Sequence, residues 1–199
     1  MAGGSARDLR RAAALFRGPS HLPRLWFFTD PIRTPDPARI AARLPVGTAV
    51  VFRHFGARDR RWNALALRRT CSDRDLTLLI GADWRLAEEI AADGVHLPER
   101  LAAEAPRLKA RRPDWLVTVA AHSRGAASAA AGADAIVLSP VYPSSSPSAG
   151  APLTLSVARR IARGLHRPCI ALGGVNLEKA RELAAAGFAG IAGIDLFRN

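Results

Sequence analysis

The sequence predicts a (β/α)8 barrel, and three observations predict it. Eight short apolar runs recur along the chain. Patterns with helical spacing separate them. Neighbouring runs begin roughly 20 to 25 residues apart, an interval that one right-handed βαβ unit fills. The runs are rich in Val, Ile, Leu and Ala without clean alternation, as parallel strands buried on both faces require. A doubly wound open sheet is the runner-up, since it also alternates strands and helices; eight units favour closure.

Residues 1–20 open the chain with an expected amphipathic helix that sets Leu9, Ala12, Ala13 and Phe16 on one side. The stretch is arginine-rich but lacks the uninterrupted apolar run of a signal peptide, so a cytoplasmic location is expected. The strands follow at 25–29, 48–53, 76–80, 94–97, 115–120, 135–139, 169–173 and 190–193. Helical patterns such as RRWNALALRRTC and LTLSVARRIARG lie between them. Asn176 is placed as the N-cap of LEKARELAAAG, and Gly187 closes that helix. Only six residues follow the eighth strand, so the last helix is truncated. Either the amino-terminal helix or a partner subunit covers that gap, and the second option makes a homodimer an expectation. The loops are short, and no linker divides residues 1–199, which read as one domain.

Composition narrows the function classes. The chain has 199 residues, 49% of them hydrophobic and 23% charged, a globular balance. No apolar run approaches the roughly 20 residues of a membrane span. Cys71 and Cys169 sit in apolar segments with no Cys or His at metal spacing, so both read as core residues and no metal site is predicted from them. The net charge of +12 raises the question of nucleic acid. However, all basic residues except Lys109 and Lys179 are arginines scattered along the chain, many in pairs on the polar sides of helices. No nucleic-acid-binding motif accompanies them, so no specific nucleic-acid partner is expected. Such a field attracts a phosphorylated small molecule.

Active sites of these barrels lie at the carboxyl ends of the strands. His122 stands there after the fifth strand. An imidazole titrates near neutrality and both takes and gives protons, so His122 is the candidate for proton transfer, with a buried structural histidine as the alternative. Arg53 ends the second strand in an apolar setting and needs an anionic partner: a substrate phosphate, or a salt bridge to Asp30 or Asp83. Gly173 and Gly174 after the seventh strand, with Gly193 in the eighth, sit where barrels of this type bind phosphate. The alternative there is a tight turn without ligand. The serine-rich segment 142–152 follows the sixth strand and reads as an active-site loop carrying Ser144 and Ser146. His54 and His96 share the same end.

The motifs FFTD, DGVHLPE, AHS, GADAIVLSPVYPSSS, IALGGV and GIAGIDLF, in this order over residues 25–197, resemble thiamine phosphate synthase and its TenI relatives. That resemblance implies a (β/α)8 fold, and an aminopyrimidine pyrophosphate and a thiazole phosphate as substrates, joined with magnesium. Several positions depart from the family pattern. The strand-two motif Gln-Leu-Arg-x-Lys reads Val51-Phe52-Arg53-His54-Phe55, which keeps the arginine alone. The Asn-Asp pair after the third strand becomes Gly81-Ala82, with Asp83 one residue displaced. Pro98 and Glu99 replace a Gly-Gln pair. Ser144 and Ser146 keep the hydroxyls of the sixth loop, whose lysine becomes Pro147. Asp195 replaces a serine after the eighth strand. The magnesium expected for the synthase reaction thus lacks its usual carboxylate ligands. In TenI-like relatives a histidine after the fifth strand assists tautomerisation of the thiazole phosphate, and His122 occupies that position. A homologue that binds a phosphorylated ligand without catalysis is the remaining reading.

Overall fold

The computed structural model describes residues 4–144, 146 and 150–198. Eight parallel strands close into a barrel in sequence order. They are β1 (Leu25–Phe28), β2 (Ala49–Phe52), β3 (Thr77–Gly81), β4 (Gly94–Leu97), β5 (Leu116–Ala121), β6 (Ala135–Leu138), β7 (Cys169–Ala171) and β8 (Gly190–Gly193). The bounds lie within two residues of those expected. Closure runs through β1 and β8, where Leu25 pairs with Ile191 and Phe27 with Gly193.

Because side chains alternate along a strand, each run feeds two cores. Trp26, Phe28, Ala49, Val51, Leu79 and Val137 fill the barrel interior. Their neighbours Phe27, Val50, Phe52, Leu78 and Ile136 face outward and pack under the helices. This two-sided burial is why the strands lack polar alternation.

The helices are α1 (Ala6–Ala13), α2 (Pro37–Ala41), α3 (Arg60–Asp73), α4 (Trp84–Glu89), α5 (Ala105–Arg111), α6 (Arg124–Ala129), α7 (Leu155–Gly164) and α8 (Ala180–Ala185). One 3-10 helix, Glu99–Glu104, precedes α5, and another, Asp195–Phe197, follows β8. The last helix is therefore a single turn, as expected, and α1 covers its flank of the barrel. Ser5 caps α1 by accepting the Asp8 N–H at 3.2 Å. The Gly4 N–H donates to the Leu196 carbonyl at 3.1 Å. Leu9 lines a cleft with Ile40 and Leu44 of the α2 side, while Leu15 lines another with Ala184 and Phe188 on the α8 side. Leu9, Ala12 and Phe16 are buried in the outer core together with Leu196 and Phe197, so a partner is not needed to cover them.

The expected cap at Asn176 is displaced. Its Oδ1 accepts the Lys179 N–H at 3.1 Å, closing a turn, and the α-helix begins only at Ala180. Gly187 ends α8 in the left-handed region at φ +96°, as placed from the sequence. Outside the barrel, several paired arginines meet carboxylates: Arg61 with Glu89, Arg68 with Asp93, and Arg111 with Glu88.

Candidate active site

Arg53 follows β2 and points into the barrel mouth by the same alternation that buries Val51. Its Nε donates to the Thr29 carbonyl at 3.2 Å, and its guanidinium lies 5.2 Å from the centroid of Phe28. The expected alternative, a salt bridge to Asp30 or Asp83, does not form. Asp30 accepts the Ile32 and Arg33 N–H groups, and Asp83 is held by Arg60. Burial pushes the Arg53 guanidinium below its ordinary range, against the attraction of Asp30. Its terminal nitrogens make no hydrogen bond to any described residue, so the mouth holds a cation without an ion-pair partner.

Beside it, the His96 ring stands edge-on to Phe28, 5.0 Å between centroids. His96 Nδ1 and Thr118 Oγ1 are hydrogen-bonded at 2.9 Å. Burial and the neighbouring Arg53 push its pKa down to about 3, so the ring is neutral. His54 alternates to the other side of β2. It is 2% exposed, packs its ring 4.8 Å from Phe52, and is not brought together with Arg53 and His96. Burial lowers its pKa as well.

His122 lies in the loop after β5, and Glu99 starts the 3-10 helix after β4. Glu99 Oε2 accepts both the His122 backbone N–H and the ring Nδ1–H, each at 2.8 Å. The double contact fixes the ring and puts a hydrogen on Nδ1, so Nε2 is the ring nitrogen that Glu99 does not engage. The buried structural histidine weighed as an alternative is not what stands here: the side chain is 54% exposed.

Magnesium needs a set of oxygen ligands, and the residues after β3 do not fit that need. Gly81 and Ala82 carry no donor side chain. Asp83 Oδ1 caps α4 through the Leu86 N–H at 3.0 Å, while its other oxygen pairs with Arg60. Burial alone would raise the Asp83 carboxyl, but the Leu86 N–H and Arg60 hold it below its ordinary range. Among the described residues no group of three His, Cys, Asp or Glu side chains is arranged to hold a metal.

On the opposite side, Gly173 and Gly174 adopt φ values of +91° and +62°. A Cβ at Gly174 would stand 2.2 Å from the Pro143 carbonyl oxygen, and one at Gly173 would stand 2.7 Å from Pro140 Cα. The glycines thus let the loop after β6 approach β7. The backbone N–H groups of Gly174, Val175 and Asn176 donate to no described residue. Gly193 packs against Leu196, which leaves 2.9 Å for a Cβ. Ser144 Oγ accepts the Ser146 N–H at 3.3 Å. Pro147, the position of the family lysine, lies outside the described residues.

Three relationships were not legible beforehand. Glu99 was read as a departure from a motif and a candidate support for a metal, not as the partner of His122. Lys179 donates to the Gly174 carbonyl at 2.8 Å and lies 3.9 Å from the Tyr142 ring, tying together the loops after β6 and β7. Asp195, which alone would repel a phosphate, is paired with Arg33 at 2.8 Å and Arg198 at 3.0 Å. The Arg33 pair spans 162 residues, so no local signal reveals it.

A family model described as thiamine monophosphate synthase matches residues 25–197. The chain is 33% identical over 184 residues to a thiamine-phosphate synthase of Methanospirillum hungatei, covering 84% of this chain and 86% of that protein. It is 30% identical over 180 residues to a thiamine-phosphate synthase of Alcanivorax borkumensis, with 84% and 82% covered. Among solved structures, a thiamine phosphate pyrophosphorylase from Pyrococcus furiosus superimposes with a TM-score of 0.73 at 25% identity, covering 87% of this chain and 90% of that one.

Proposed function

The chain belongs to the thiamine monophosphate synthase family, and from that membership we propose that it binds a thiazole phosphate at the barrel mouth and moves a proton on it, as TenI-like tautomerases do. The observation that carries the reading is the His122–Glu99 pair. Glu99 orients the imidazole, and Nε2 takes a proton from one atom of the ligand and returns it to another, with no net change in composition. Arg53 supplies positive charge in the mouth. The N–H groups of Gly174, Val175 and Asn176, which donate to no described residue, with the hydroxyls of Ser144 and Ser146, form the cradle for the phosphate. The reading assigns no step to a metal, because the donor set after β3 is committed to Arg60 and to capping α4.

A second reading, condensation of the thiazole phosphate with an aminopyrimidine pyrophosphate, is favoured by the name of the relatives. Product analysis separates the two. The enzyme is incubated with both precursors and magnesium, and separately with the thiazole tautomer alone. Interconversion of the tautomer without thiamine phosphate formation supports the first reading; thiamine phosphate formation overturns it in favour of the second.

A further inference from the structure

We infer that Phe55 is a specificity-determining wall: the β2–β3 side of the mouth takes the flat ring of a monophosphorylated heterocycle. The inference rests on the reading that this mouth binds a phosphorylated small molecule, and it names the face that the ring occupies.

Phe55 lies two residues beyond Arg53 and is 55% exposed, whereas Phe28 and Phe52 beside it are fully buried. Its ring lies across the end of β3. A Cβ on Gly81 would come within 3.0 Å of Phe55 Cζ and 3.3 Å of Cε1. Gly81 is not in the left-handed region, so its φ does not demand glycine; the crowding does, from the Phe55 ring and from the Phe52 carbonyl oxygen, also 3.0 Å from such a Cβ. The ring is also held from behind. The Arg60 guanidinium stands 5.8 Å from its centroid, is anchored to Asp83, and donates to the Gly81 carbonyl at 3.1 Å.

The two positions in contact are among those that depart from the family pattern, where lysine and asparagine stand. A polar pair has been exchanged for an aromatic ring lying over a glycine. That exchange removes donors suited to a diphosphate and supplies a fixed, solvent-facing π surface. The unpaired Arg53 stands two residues away. A cation beside a ring suits a ligand that is both anionic and flat.

Isothermal titration of the full chain with thiazole phosphate, phenyl phosphate and inorganic phosphate tests this. Phe55→Leu keeps an apolar side chain but removes the ring. It is expected to weaken both ring phosphates by about fivefold to tenfold and leave inorganic phosphate within about twofold, while Phe55→Tyr binds like the wild type. The inference is overturned if Phe55→Leu leaves the preference for ring phosphates over inorganic phosphate unchanged, or if the wild type has no such preference. The outcomes also separate this inference from the proton-transfer reading. A ring preference that depends on Phe55, with no turnover of the thiazole, keeps the wall and removes the tautomerase. Turnover with an unaltered KM in Phe55→Leu does the reverse.

Discussion

Glu99 Oε2 accepts two hydrogen bonds from His122, one from its backbone N–H and one from its ring, both 2.8 Å long. One carboxylate oxygen therefore sets both where the residue sits and which ring nitrogen is free.

If this contact orients the base, Glu99→Ala lowers kcat for tautomerisation by about tenfold or more, a part of the roughly 10²–10⁴-fold that a positioned acid–base group contributes. KM changes little. Glu99→Gln, which still offers an oxygen to Nδ1–H, retains more activity than the alanine variant. Steady-state kinetics of both variants check the order.

Arg53 pairs with no carboxylate, so replacing it leaves no buried anion behind. Arg53→Met is expected to weaken thiazole phosphate binding by roughly 10- to 100-fold, the scale of a charge-assisted hydrogen bond. Thermal stability is unchanged or raised, because a buried charge is removed. Titration calorimetry and a melting curve on the same sample read both quantities. A lower Tm with unchanged affinity would assign Arg53 to the fold instead.

His96 makes stability pH-dependent. Its ring is held neutral down to about pH 3, while the unfolded chain's imidazole takes a proton near its ordinary value of about 6.5. Between these values the unfolded state binds the extra proton, so stability falls as pH drops through this window, by at most about 1.4 kcal/mol per pH unit from this residue. Urea unfolding at a series of pH values should show a shallower acid loss in His96→Gln than in the wild type.

The single turn after β8 leaves the covering of that flank to α1. Phe16→Ala is expected to destabilise by roughly 3–5 kcal/mol, as emptying a buried aromatic site does. Arg10→Ala, on the exposed side of the same helix, stays within about 0.5 kcal/mol. Chemical denaturation of the two variants compares them directly.

The barrel was legible because its signal is local and repeated. The runs from Leu25–Phe28 to Gly190–Gly193 are mostly apolar on both faces, and all but the eighth are followed by a helical pattern. The end of each strand was legible too, which brought Arg53, His96 and His122 to the same rim. Pairing across the rim was not. Arg53 was assigned either a substrate phosphate or a salt bridge to Asp30 or Asp83, yet Asp83 belongs to Arg60, a residue of the following helix. His54 was placed at the site because it follows Arg53, but alternation turns it against Phe52. Asn176 carries a good capping side chain, yet the next residues make a turn before the helix starts. In each case the residue type was informative, but the partner was set by the backbone geometry around it or, for Asp83, by packing against another element.

Whether His122 moves a proton on a thiazole phosphate is read most directly by following tautomer interconversion by NMR, with chelator present, for the wild type and His122→Ala, alongside the ligand affinity of each. Turnover by the chelated wild type is expected, with a loss of at least about 100-fold in His122→Ala and ligand affinity retained. A wild type that binds the ligand without converting it, or a His122→Ala variant that converts it undiminished, would contradict this role.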